Sequence, residues 1–230
     1  MLYSKVAFRN DSKGDFRNRQ DSVFHPQLVS PRPRKVSDDD VYAAAYRVMQ
    51  RVGPADLTLD AIAREAGVTA GALVQRFGSK KHLQLALAEG AANWAPAFIE
   101  QLREQHKSPL AALRAYADCM AGLAETPAGY VRNLAYLLED LSDPDLRATL
   151  ARQATSTREQ LASLIRDGVT AGELSKNVKP TALARTVETV LSGSMMVWAF
   201  YREGTAGEWM RKDLDAVLGP YLVPRRKRSP

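Results

Sequence analysis

Between Thr58 and Phe77 the chain reads Thr-Leu-Asp-Ala-Ile-Ala-Arg-Glu-Ala-Gly-Val-Thr-Ala-Gly-Ala-Leu-Val-Gln-Arg-Phe. Its polar residues fall where contacts to phosphates and base edges would need them. Thr58 and Thr69 each precede a short helical run, so their hydroxyls stand at helix N-termini, where backbone N–H groups point at anions. With Lys80 they form an expected set of phosphate clamps. Gln75 has the amide that reads adenine through two hydrogen bonds, and Ala70 or Ala72 can touch a thymine methyl. Gly71 and Val74 belong to the same outward surface, and Arg76 adds a forked phosphate donor.

Such a surface must be held by two short helices crossing steeply, the helix-turn-helix arrangement. Ala63 and Ala66 keep the crossing close, Gly67 tolerates the positive φ of the turn, and Ile62, Val68 and Leu73 fill the shared core. The rest of the chain is also helical in period. Val41, Ala45, Val48, Met49 and Val52 make one face of a first helix, capped by Ser37 or an early Asp and stopped at Gly53-Pro54. A run over 80–104 carries Leu83, Leu87, Ala91, Trp94 and Phe98, with Pro96 expected to kink or break it. Ser108-Pro109, Thr126-Pro127, Asp143-Pro144 and Lys179-Pro180 then open helices over roughly 109–124, 128–141, 144–171 and 180–203, with a last one near 207–219. The expected fold is all-α with about nine helices.

The segment from 38 to 90 resembles the DNA-binding domain of the tetracycline-repressor (TetR) family. The resemblance rests on Ile62-Ala63, Ala66-Gly67-Val68-Thr69, Gly71-Ala72-Leu73, Phe77, Ser79-Lys80 and Leu83. That family carries a Tyr and a His where Val74 and Arg76 stand here, two positions that usually contact phosphate. Val74 loses a hydroxyl, so backbone contacts should shift toward Arg76 and Lys80. Beyond residue 90 the match is one of architecture only, a helical ligand-binding and dimerisation domain ending in two long helices.

The resemblance implies a ligand-responsive, dimeric DNA-binding transcriptional regulator, a repressor released from a pseudo-palindromic operator by a small, mainly apolar molecule. The alternative is a helical ligand-binding or interaction module without sequence-specific DNA binding. The expected organisation is a disordered basic extension (1–36), a helix-turn-helix domain (37–83), an effector-binding and dimerisation domain (84–222) and a basic tail (223–230). One such domain reads a half-site, so a homodimer is expected, its recognition helices about 34–36 Å apart. Val187, Val190, Leu191, Ser194, Val197, Trp198 and Tyr201, with Leu214, Val217 and Leu218, are the candidate dimer face, although a plain core helix has the same pattern. Trp94, Phe98, Tyr116, Met120, Tyr136 and Met195 are the candidate pocket, with the same reservation.

Composition narrows the alternatives. The 230 residues are 45% hydrophobic and 25% charged, the profile of a globular chain with an adequate core. The net charge of +6 sits at the ends: residues 1–36 carry +5, Arg225–Arg228 carry +4, and the body between them is acidic. The helix-turn-helix region itself is neutral, so its case rests on geometry. A lone Cys119 excludes an internal disulfide and reads as a buried small hydrophobe. His25, His82 and His106 are scattered, no Gly-rich phosphate loop appears, and the acids Glu139, Asp140, Asp143 and Asp145 straddle a helix junction. No enzyme activity, metal or cofactor is expected. Without a long apolar stretch or a signal-like N-terminus, a cytoplasmic protein is expected.

Overall fold

Hydroxyl, Asp and Pro residues mark where this chain starts its helices. The structure is a computed structural model that describes residues 36–92 and 94–224. The expected basic segments, up to residue 35 and from residue 225 on, lie outside the described residues. The described residues form ten α-helices: α1 (Asp38–Arg51), α2 (Leu59–Ala66), α3 (Ala70–Phe77), α4 (Lys80–Ala92), α5 (Trp94–Gln105), α6 (Pro109–Ala121), α7 (Pro127–Ser142), α8 (Pro144–Thr170), α9 (Pro180–Tyr201) and α10 (Ala206–Leu218). Ser37 caps α1 in a reciprocal box with Asp40, as Thr205 does with Glu208 on α10. Ser108, Thr126 and Asp143 cap the Pro-initiated helices α6, α7 and α8, whereas Lys179 gives α9 no side-chain cap. The expected run over 80–104 comes as α4 and α5. Pro96 has no N–H for the carbonyl of Ala92, where α4 ends, and it is tolerated within the first turn of α5.

Two apolar cores organise these elements. The first joins α1 to α4 through Val41, Ala45, Val48, Ile62, Leu73 and Leu87. The second is larger and draws on α5, α6, α8, α9 and α10, with Leu113, Leu161, Ile165, Ala184 and Leu214 fully buried. Half-buried Cys119 packs against it. Ionic ties fix helix pairs: Arg103 of α5 to Asp167 of α8, Arg158 of α8 to Glu188 of α9, and Arg114 and Arg211 reciprocally across α6 and α10. After α10 the chain is held to the turn following α8, with Ser175 N–H donating to Tyr221 O at 2.8 Å and Val223 N–H to Glu173 O at 3.0 Å. This is the one β-bridge of the described residues. Among them, no helix is long and apolar enough to cross a membrane.

Candidate nucleic-acid interface and ligand cavity

The turn between α2 and α3 follows from its sequence. Gly67 sits at φ +71°, and the Val68 N–H reaches back to the Ala63 carbonyl at 2.9 Å, closing α2 in a Schellman pattern. Thr58 Oγ1 accepts the Ala61 N–H at 3.1 Å, and Thr69 Oγ1 accepts the Ala72 N–H at 3.2 Å. Each hydroxyl is thus an N-cap, and each still has its own O–H to donate. Leu73 is buried, while Gly71, Ala72, Val74, Gln75 and Arg76 are exposed, Val74 at 48%. Ala70 departs from the sequence expectation. It is half-buried against the first core, because the first turn of α3 leans on α2.

The two cations have partners inside the chain. Arg76 Nη1 donates to the Val36 carbonyl at 2.8 Å, its guanidinium pairs with Asp38, and it lies 5.6 Å from the Phe77 ring. The C-terminal end of α3 is therefore fastened to the start of α1. Lys80 Nζ donates to the Pro54 carbonyl at 3.0 Å, with Glu139 at 4.0 Å. Glu65 joins α2 to Arg47 and Arg51 of α1, and these two hydrogen bonds hold its carboxyl below the usual range. Lys81 bridges to Asp143 and Asp145, both at 2.8 Å, which raises its own pKa and lowers that of Asp143.

A second link runs through α7, and no pattern in the sequence points to it. Tyr136 was expected in a pocket, yet it is 1% exposed in the first core, where its hydroxyl donates to the Val52 carbonyl at 3.1 Å. Val52 is the C-cap of α1. Burial, followed by the nearby Glu139 carboxylate, pushes that hydroxyl up to about 12. Arg132, one turn earlier on α7, donates to the Gln50 carbonyl. Tyr130 and Leu137 of the same helix face the opposite way, into a cavity.

That cavity has a volume of about 120 Å³ and lies among α6, α7, α9 and α10. Of the expected pocket residues, Tyr116, Met120 and Met195 line it. Phe98 is buried behind, with its ring 6.3 Å from that of Tyr116, and the side chain of Trp94 lies outside the described residues. Glu188, Leu191 and Ser192 line it from α9 and Met210 from α10. Glu188 was missed in the sequence, although its spacing to Leu191, Ser192 and Met195 places all four on one side of a helix. Among the described residues there is no group of three or more His, Cys, Asp or Glu side chains that could hold a metal ion.

The expected dimer face divides in two. Val187, Leu191, Ser194, Trp198, Leu214 and Leu218 are buried within the protomer, and Ser194 donates to Asp213 at 2.5 Å. Val190 and Val217 are half-buried. Val197 and Tyr201 are exposed, together with Met196 and Phe200, which the sequence pattern left out; Phe200 is 74% exposed. Tyr201 stacks on Trp209 of α10, ring centroids 5.7 Å apart.

A capped helix-turn-helix with an exposed second helix, set on a helical body with its own cavity, defines the class of a DNA-binding regulator. The chain matches the bacterial regulatory proteins of the tetR family over residues 41–87 and the tetracyclin repressor-like C-terminal domain over residues 109–214, and it belongs to the TetR family. A comparison with curated protein sequences finds no match. Solved structures share the fold. A TetR transcription regulator from Haloarcula marismortui superposes with a TM-score of 0.67 at 19% identity, covering 81% of this chain and 98% of that one. The reduced form of E. coli NemR gives 0.67 at 18% identity, with 81% and 98% covered. SmeT, the repressor of the Stenotrophomonas maltophilia multidrug efflux pump SmeDEF, gives 0.55 at 19% identity, with 85% and 98% covered.

Proposed function

We propose that this DNA-binding regulator acts as a homodimeric, ligand-responsive repressor, released from a pseudo-palindromic operator when a small, mainly apolar effector enters the cavity beneath α9. The observation that carries the DNA half is the surface of α3. Gly71, Ala72, Val74 and Gln75 are exposed behind the Thr69 cap, with no acidic residue in the first turn to repel phosphate. Thr58 and Thr69 hold phosphates, and Gln75 reads a base edge. Arg76 and Lys80 reach phosphate by redirecting donors that now brace the α1 start and the Pro54 turn. Val74 supplies apolar contact where the family has a tyrosine.

The reading unit spans 37–83 and the effector and dimer unit 84–222. In that second unit the exposed Met196, Val197, Phe200 and Tyr201 form the self-complementary face. SmeT is described as a repressor, and the same sign of regulation is proposed here. Communication runs along α7, because one helix lines the cavity with Tyr130 and Leu137 and grips the end of α1 with Tyr136 and Arg132. An effector favouring one position of α7 shifts the separation of the two heads, and only its difference in affinity between the two positions counts.

A mobility-shift titration of the full chain on DNA flanking its own gene tests this. A sequence-preferring complex whose affinity falls steeply with salt is expected. Its absence would leave the non-DNA interaction module as the better reading.

A further inference from the structure

The cavity's polar groups are few and unevenly satisfied. Met120, Met195 and Met210 supply thioethers and Leu123 and Leu191 branched aliphatic wall. Tyr130 lines the same space at 8% exposure, and its hydroxyl makes no hydrogen bond to any described residue. Burial alone raises its pKa, as expected for a phenol without a partner. Glu188 gives Oε2 to Arg158 Nε at 2.6 Å, and its other oxygen accepts no hydrogen bond among the described residues. The cavity thus offers the unused hydroxyl of buried Tyr130, that of Ser192 at its exposed edge, and one unused carboxylate oxygen.

Charge at this site is already balanced. A cationic ligand would find the Glu188 carboxylate already paired with Arg158, and an anion would meet that carboxylate. Either would be desolvated without a free counter-charge. A neutral hydroxyl can both accept and donate, and so suits what is left over. Size sets a second limit. An engineered apolar cavity of about 150 Å³ in another protein holds benzene, so about 120 Å³ suits a single six-membered ring. The methionine sulfurs favour an aromatic ring in that space.

We infer that the cavity takes a compact, largely apolar ring carrying one neutral hydroxyl, a phenol or small cyclic alcohol, which exchanges hydrogen bonds with Tyr130 and the open oxygen of Glu188. This rests on reading the cavity as the effector site. The ligand's ring lies among the methionines, and its hydroxyl sits where α7 and α9 both contribute. An occupied site therefore pulls Tyr130, and with it the helix that holds the end of α1.

The test is calorimetry on the full-length protein at pH 7 with phenol, benzene, benzylamine and benzoate, alongside NMR of the methionine ε-methyl groups. Phenol is expected to bind about tenfold more tightly than benzene, a typical effect of a net hydrogen bond, and to shift the methyl signals of Met120, Met195 and Met210. Tyr130→Phe should weaken phenol several-fold while keeping it above benzene, since donation to Glu188 remains, and leave benzene unchanged. Benzylamine or benzoate binding as tightly as phenol overturns the neutrality argument. Equal binding of phenol and benzene, indifferent to Tyr130→Phe, overturns the hydroxyl assignment but leaves the cavity as effector site if the methyl signals move. No methyl shift with any probe overturns both.

Discussion

Tyr136→Phe removes a single oxygen from a side chain that is 1% exposed and whose hydroxyl donates to the C-cap carbonyl of α1 at 3.1 Å. The ring stays in place, so no cavity forms. What is lost is one net hydrogen bond and the satisfaction of the carbonyl of half-buried Val52, together about 1–2 kcal/mol. For a chain of this size each kcal/mol lowers Tm by roughly 2–4 °C, so a fall of about 2–8 °C is expected. Tyr136→Ala adds the loss of the ring, for about 3–5 kcal/mol in all. Tyr130→Phe is the internal control: that hydroxyl has no partner among the described residues, so its removal should leave Tm within a degree or raise it slightly. Scanning calorimetry at one fixed protein concentration is the assay, since the proposed dimerisation would make Tm concentration-dependent. The Tyr136 hydroxyl is pushed up to about 12 by burial, so the difference should be the same at pH 6 and pH 9. Equal Tm values for the two phenylalanine variants would refute the reasoning that α7 is anchored through this bond.

Gly67→Ala meets open space but must hold φ +71°, so it should cost about 1–2 kcal/mol in denaturant unfolding; a neutral result would mean the turn is not left-handed. Asp140 is buried with Oδ1 unpartnered, and desolvation, then the neighbouring Glu139 and Asp143 carboxylates, raise it to about 6. Between the usual carboxylate value and about 6 the folded form holds a proton that the unfolded form has lost, so this group's contribution to stability falls as pH rises through that window. Asp140→Asn should remove that fall and be more stable than the parent at pH 7.5; parallel pH profiles for the two proteins would count against it. Phe200→Asp should convert the dimer to monomer in sedimentation velocity, and an unchanged dimer would move the interface elsewhere.

Helix starts were legible because Ser37, Thr58, Thr69 and the Ser/Thr/Asp-Pro pairs act locally, within one turn of the backbone they cap. The outward set of α3 was legible for the same reason, since Ile62 and Leu73 fill the interior and leave their neighbours facing out. Phasing α9 was not. It is apolar on two sides, so periodicity cannot tell the buried Leu191 and Trp198 from the exposed Met196 and Phe200. Arg76 and Lys80 donate to the carbonyls of Val36 and Pro54, and a backbone carbonyl has no sequence signature. Tyr136 was misplaced because aromatic residues at helical spacing look alike, and its acceptor lies far away along the chain.

That tyrosine also bears on how such proteins can be recombined. The first core is closed by a side chain that the body supplies, so the DNA-reading head is not a self-sufficient cassette. A chimaera joining this head to another body would inherit a hole unless the recipient's counterpart of α7 brings a ring of matching size and a hydroxyl in reach of Val52. Head and body are therefore expected to be exchanged together with α7, and under the proposed base-reading role of Gln75 a designer seeking new operator specificity does better to alter the exposed residues of α3 than to transplant the whole head.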